Sequence, residues 1–307
     1  MLYKKMDEMI GGTPLLELCG IESRKGLAAR LLAKCEFMNP TGSAKDRAAR
    51  EILDDAERRG LLKPGGAVVE ATSGNTGIGL AAVAAVRGYK AVIIMPDTMS
   101  AERIRLMKAY GAEVVLSDGR LGMAGSLQKL EEVKKTYPDA FEAGQFVNPA
   151  NALAHYKTTG PEIWNDTDGQ VDVFVAGVGT GGTLTGTARF LKERKSSVRT
   201  VAVEPAGSPL LSGGTAGPHG LQGIGANFIP EVLDRSLIDA VCPVTEEEAF
   251  EAARMLGKTE GIMVGITGGA ALAAAVKEAE KPENRGKTVV FVTPDSGDRY
   301  LSSDLYG

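Results

Sequence analysis

Three cysteines in 307 residues, Cys19, Cys35 and Cys242, lie far apart and form no CxxC pair. That spacing excludes a disulfide framework and a cysteine-built zinc site, and no metal centre is expected. Only two histidines are present, His155 and His219, and both read as structural or surface residues, with His219 the one placed to touch a substrate through a loop. No run approaches the ~18 to 20 apolar residues of a membrane span. The opening MLYKKMDEMIGG lacks the apolar core of a secretion signal, so the expected home is the reducing cytoplasm. Positive charge is also missing: 35 Lys and Arg against 39 Asp and Glu give a net charge of -4, which supplies no field for nucleic acid. Glycine is what the chain has in excess, 39 residues, nearly twice the usual ~7% share. So many glycines mean either turns at positive φ or backbone brought close to a ligand.

Short apolar runs alternate with helical patterns: Val68-Val69, Ala91 to Met95, Glu113 to Leu116, Val171 to Val175, Thr200 to Val203 and Thr288 to Thr293. This alternation predicts an α/β fold with mostly parallel sheets. Ser100 is placed to cap the Ala101 to Tyr110 segment, and Thr245 with Glu248 spells a capping box. Residues 206–230, rich in Gly and Pro and without a period, read as a loop of functional length. The lone Trp164 is expected in the core or at an interface.

Four clusters carry chemistry. In the first, Asn39 to Arg47, a turn runs into a helix and sets Lys45 near its start, where the helix dipole disfavours an ammonium and favours an imine-forming amine. Alone, it reads first as a solvated surface lysine. In the second, Thr72, Ser73, Gly74, Asn75, Thr76 and Gly77 link a strand to a helix, a placement that aims backbone N–H groups and hydroxyls at a carboxylate or phosphate. The third, Gly177 to Thr183, repeats that placement with Gly179, Gly181 and Gly182 freeing the backbone and Thr180 and Thr183 adding hydroxyls. It lacks the Lys of a P-loop and the GxGxxG spacing of a dinucleotide site. The fourth, Gly265 to Ala271, opens a helix of small residues, with Thr267 its one polar side chain. Close helix packing explains that cluster as well as a ligand does.

In this order the clusters resemble the cysteine synthase (O-acetylserine sulfhydrylase) and cystathionine β-synthase family of tryptophan-synthase-β-like, fold type II pyridoxal-phosphate enzymes. The likeness runs from Ile10-Gly11-Gly12-Thr13-Pro14-Leu15 to Gly297-Asp298-Arg299-Tyr300-Leu301-Ser302 and takes in Gln145 to Asn151, Thr158 to Trp164 and Gln222 to Ala226. It implies two three-layer α/β domains with pyridoxal 5'-phosphate in the cleft between them: residues 37–148 as the smaller, mobile domain, and 1–36 plus 149–307 as the larger, cofactor-binding one.

The resemblance also implies roles. Lys45 would hold the cofactor as a Schiff base, Asn75 would meet its phenolic oxygen, Gly179, Thr180, Gly181, Gly182 and Thr183 its phosphate, and Thr267 its pyridine nitrogen. Thr72, Ser73, Gly74, Thr76 and Gln145 would bind the substrate carboxylate, and Gly223 would line the mouth. A neutral hydroxyl at Thr267 leaves the ring a weaker electron sink than a carboxylate would. That favours β-replacement: O-acetyl-L-serine loses acetate to give an aminoacrylate, to which sulfide adds to form L-cysteine. The family further implies a homodimer and docking of a serine acetyltransferase C-terminal tail. Two departures stand out. Thr267-Gly268 replaces a serine pair, and Pro294-Asp295-Ser296-Gly297 is intermediate between cysteine synthases and cystathionine β-synthases. A short cystathionine β-synthase taking homocysteine, and a low-activity regulatory partner of serine acetyltransferase, therefore stay open as alternatives. No haem segment or regulatory domain is expected.

Overall fold

All six apolar runs lie in or overlap strands in the computed structural model, which describes residues 2–72 and 74–307. The chain runs β1 (Leu15–Glu17), α1 (Cys19–Lys25), β2 (Arg30–Cys35), α2 (Lys45–Arg58), β3 (Ala67–Ala71), α3 (Asn75–Arg87), β4 (Lys90–Pro96), α4 (Ala101–Ala109), β5 (Glu113–Ser117), α5 (Gly122–Thr136) and β6 (Phe141–Glu142). It continues through α6 (Ala150–Lys157), α7 (Thr159–Asp166), β7 (Val173–Gly177), α8 (Gly182–Arg194), β8 (Arg199–Pro205), β9 (Ala240–Val244), α9 (Glu246–Glu260), α10 (Ile266–Ala279) and β10 (Thr288–Thr293). Residues 206–230 form no helix or strand.

The strands make two sheets, ordered β1-β2-β10-β7-β8-β9 and β5-β4-β3-β6. Every pairing is parallel except β1 with β2, at an edge of the larger sheet. Parallel strands are covered on both faces, and the period of two in side-chain direction sorts their residues into two cores. On β10, Val289 and Phe291 pack toward α9 and α10, while Val290 and Val292 pack toward α7 and α8. On β4, Ala91, Ile93 and Met95 face α2 and α3, and Val92 and Ile94 face α5. Each sheet is thus the middle of a three-layer sandwich.

The capping box forms as the sequence predicts: Glu248 N–H donates to Thr245 Oγ1 at 3.2 Å and Thr245 N–H to Glu248 Oε2 at 2.9 Å. Ser100 differs. It precedes α4, but its hydroxyl makes no cap bond and is buried without a partner among the described residues. Small residues in α10 do let it lie close to α9, since a Cβ on Gly269 would run into the Ala249 carbonyl oxygen. Trp164 is partly buried and packs against the α7–α8 core and Gly169.

Candidate active site

Strand order decides where a ligand fits. From β7 the chain moves outward to β8 and β9, then returns to place β10 on the other side of β7. In the smaller sheet β4 and β5 lie on one side of β3 and β6 on the other. At such reversals neighbouring loops diverge and leave a crevice beyond the carboxyl ends of the strands. Here the two crevices share one cavity of about 400 Å³, walled by segments following β3, β6, β7 and β10.

Lys45 is the first residue of α2 and lines this cavity. Burial pushes its pKa below the usual lysine value, and the Asp295 carboxylate opposes that. Its Nζ makes no hydrogen bond or ion pair among the described residues, leaving an amine with a suppressed charge and no internal partner. Two residues on, Arg47 anchors α2 to the larger sheet. It donates to Glu36 at 2.7 and 2.8 Å and to Glu162 at 2.7 and 2.6 Å. Lys34 joins Glu162 at 2.8 Å. Arg47 holds the Glu36 carboxyl down at about 2 against the cost of its burial.

The loop after β7 is built from backbone. Gly181 sits at φ +85°, a region costly for other residues, and a Cβ on Gly179 would run into the Gly223 carbonyl oxygen. The loop ends at the start of α8, whose first N–H groups lack helical acceptors. Gly179, Thr180, Gly181 and Thr183 face the cavity, whereas Gly182 sits against Asn151. The Asn151 amide donates to Thr180 Oγ1 at 2.9 Å, leaving that hydroxyl's own proton to donate. The result is a cradle rich in donors at a positive helix end, suited to an anion such as phosphate.

The opposite wall is built from side chains. Thr72, Gly74, Asn75, Thr76 and Gln145 line it; Ser73 lies outside the described residues. Thr76 donates to Gln145 Oε1 at 2.6 Å, and Gln145 Nε2 donates to the Ala71 carbonyl at 3.2 Å. Thr267 and Gly223 complete the cavity beside β10, and Thr267 donates to the Gln222 carbonyl at 2.9 Å.

Four residues that motif reading gave no role at the site also converge here. Arg103 and Tyr300 line the cavity, with the guanidinium over the ring at 5.5 Å. Arg299 reaches Asn75. His155 is buried inside: its Nε2 lies 3.1 Å from Thr183 Oγ1 and its Nδ1 2.8 Å from Thr159 Oγ1. Burial drops its pKa to about 3, so it braces the anion cradle as a neutral ring. The four-residue spacing from His155 to Thr159 was its one signal. His219 stays off the cavity wall and donates through Nε2 to the Gly225 carbonyl at 2.8 Å.

A family model described as pyridoxal-phosphate-dependent enzyme matches residues 6–295. Cysteine synthase A of Salmonella typhi is 51% identical over 314 residues, covering 99% of this chain and 96% of its own length. Among solved structures, cysteine synthase (OASS) from Entamoeba histolytica superposes with a TM-score of 0.97 at 48% identity, covering 100% of this chain and 91% of that one. O-ureido-L-serine synthase gives 0.95 at 43%, covering 100% and 96%.

Proposed function

That this chain belongs to the pyridoxal-phosphate-dependent cysteine synthase family is the premise from which we propose its reaction, the replacement of acetate in O-acetyl-L-serine by sulfide to give L-cysteine. One observation carries the proposal: an unpartnered lysine amine and a donor-rich glycine cradle open into the same cavity. The cavity fits pyridoxal phosphate on its own terms. A phosphate suits the start of α8, a carbonyl carbon suits the Lys45 amine, and the hydroxyl of Thr267 offers a neutral contact. Gly179 and Gly181 leave no room for side chains where backbone must meet that phosphate.

When bound, the cofactor withdraws electrons from Cα of the attached amino acid, so that a leaving group at Cβ can depart. The remaining work falls to the chain. Lys45, whose ammonium form is disfavoured by burial, takes the Cα proton as acetate leaves and returns a proton to Cα as sulfide adds. Thr72, Ser73, Gly74 and Thr76, with Gln145, hold the substrate carboxylate and so orient the Cα–H bond toward Lys45. Gly223 borders the entrance. Residues 37–148 would act as the smaller domain, closing on the larger and keeping water from the reacting carbon.

The same reading carries a cytoplasmic homodimer. It also carries docking of a serine acetyltransferase C-terminal tail beside the cavity, where Phe146 and Phe228 pack edge-on at 5.0 Å next to the partly exposed Ile229. Among the described residues no helix is long and apolar enough to cross a membrane.

The test loads purified protein with pyridoxal phosphate, records its visible absorbance, then supplies O-acetyl-L-serine with sulfide and homocysteine in competition. A visible band, acetate release and cysteine as main product are expected, with Lys45→Ala slower by at least about 100-fold. Cystathionine as main product would change the nucleophile. No band and no acetate release would sink the reading.

A further inference from the structure

Asn75 is gripped at both ends of its amide. Arg299 Nη1 donates to its Oδ1, and its Nδ2 donates to Asp295 Oδ2 at 2.8 Å. The same Asp295 oxygen accepts from the Tyr300 hydroxyl at 2.7 Å, and Arg299 also donates to the Thr41 carbonyl. A guanidinium can only donate and a carboxylate can only accept. The opposite rotamer of the amide would set donor against donor and acceptor against acceptor, so one orientation survives. Nδ2 carries two protons, and Asp295 takes one. Asp295 is itself buried, lines the cavity with Lys45, and keeps its second oxygen free of any hydrogen-bond partner among the described residues.

We propose that Asp295 and Arg299 are positioning residues that lock Asn75 as a donor toward the cavity, so that the cofactor oxygen it meets accepts from it, which favours the ionised form of that oxygen. This rests on the reading that pyridoxal phosphate occupies the cavity. If Asn75 were free to turn, its carbonyl could accept from that oxygen and favour the protonated form. The clamp thereby favours one ionic form of the cofactor by acting through Asn75.

The experiment compares wild type with Asp295→Leu, Asp295→Asn and Arg299→Met, each stripped of cofactor and titrated with pyridoxal phosphate while the visible spectrum is followed. Asp295→Leu keeps bulk but loses the acceptor; about 10-fold weaker cofactor binding and a shift of absorbance toward shorter wavelength are expected. Asp295→Asn, whose carbonyl can still accept from Asn75, should restore both. If Asp295→Leu does not fold, Arg299→Met reads the other end of the clamp and should show the same spectral shift. Wild-type affinity and spectrum in both Asp295→Leu and Arg299→Met would overturn the proposal, as would an Asp295→Asn variant no better than Asp295→Leu. A wild-type protein that gives no visible band fails the functional reading instead, and separately.

Discussion

The two walls of the cleft solve the same geometric problem in opposite ways. Each follows a strand at a reversal of sheet order and runs into a helix start, after β7 into α8 and after β3 into α3. The wall after β7 discards side chains, with Gly179 and Gly181 bringing the backbone itself to the cavity. The wall after β3 keeps them: Thr72 and Thr76, joined by Gln145 from the segment after β6, present hydroxyls and an amide. Backbone donors are fixed by the fold and suit a resident anion. Side-chain donors such as the Thr76–Gln145 pair can re-form around a ligand that arrives and leaves each turnover. The two halves differ again in their buried acids. Glu36, beside the larger sheet, is paired with Arg47 and its carboxyl sits at about 2. Glu70, on β3, has no cationic partner among the described residues, and burial raises it to about 8.

The largest effect should come from breaking the paired acid. Arg47→Met leaves Glu36 buried and uncompensated, a loss of about 3–5 kcal/mol in such settings, measured as a lower denaturant midpoint. Adding Glu36→Gln should return part of it, because the two changes are coupled. In wild type the Glu36 contribution is present above about 4.5 and fades as pH falls toward its folded value of about 2. The Arg47→Met variant should lack most of that fade. Next in size is the backbone wall. Gly179→Ala sets a Cβ against the Gly223 carbonyl oxygen, and overpacking of this kind costs about 1–3 kcal/mol. It should appear as weaker pyridoxal phosphate binding, with the KM for amino acid much less changed.

How much of this was legible beforehand follows from what each residue type can signal locally. The cradle was legible because glycine at Gly179 and Gly181 is required by backbone geometry, and backbone geometry is written in consecutive residues. The turn before Lys45 and the helix after it placed the residue at a helix start, as the structure has it, but only the order of all four clusters singled it out from a solvated lysine. Strands β1, β2, β6 and β9 were passed over, since LLE, RLLAKC, FE and AVCPV are short or lack the repeated Val and Thr of β8 and β10. Ser100 has the right type at the right position, yet its side chain turns away, because a cap competes with packing that sequence does not display. Arg103, His155 and Arg299 act through partners as far as 224 positions away. No spacing rule reaches that far.

On the side-chain wall the effect should be smaller and of another kind. Thr76→Val removes the hydroxyl that meets Gln145 at 2.6 Å while keeping the shape. A neutral hydrogen bond is worth about 0.5–1.5 kcal/mol net, so the KM for O-acetyl-L-serine should rise by roughly 2- to 10-fold. Cofactor affinity should hold. If Thr76→Val weakened cofactor and Gly179→Ala weakened only the substrate, the assignment of the walls would be reversed.

Glu70 gives the gentlest test, because its effect is a slope. Its carboxyl is raised by burial, partly offset by backbone N–H groups of Gln145 and Gly144. In the unfolded chain it ionises near 4.5, so between there and about 8 the folded protein holds a proton that the unfolded one has released. The stability Glu70 contributes is therefore complete below about 4.5 and is lost as pH rises through about 8, at up to about 1.4 kcal/mol per pH unit. Glu70→Gln keeps the neutral shape and removes the ionisation. Its stability should match wild type near pH 4.5 and exceed it increasingly toward pH 8, measured by denaturant unfolding at stepped pH. A constant difference across that range would mean that Glu70 is already ionised in the folded state, and that the smaller sheet hides a counter-charge as the larger one does.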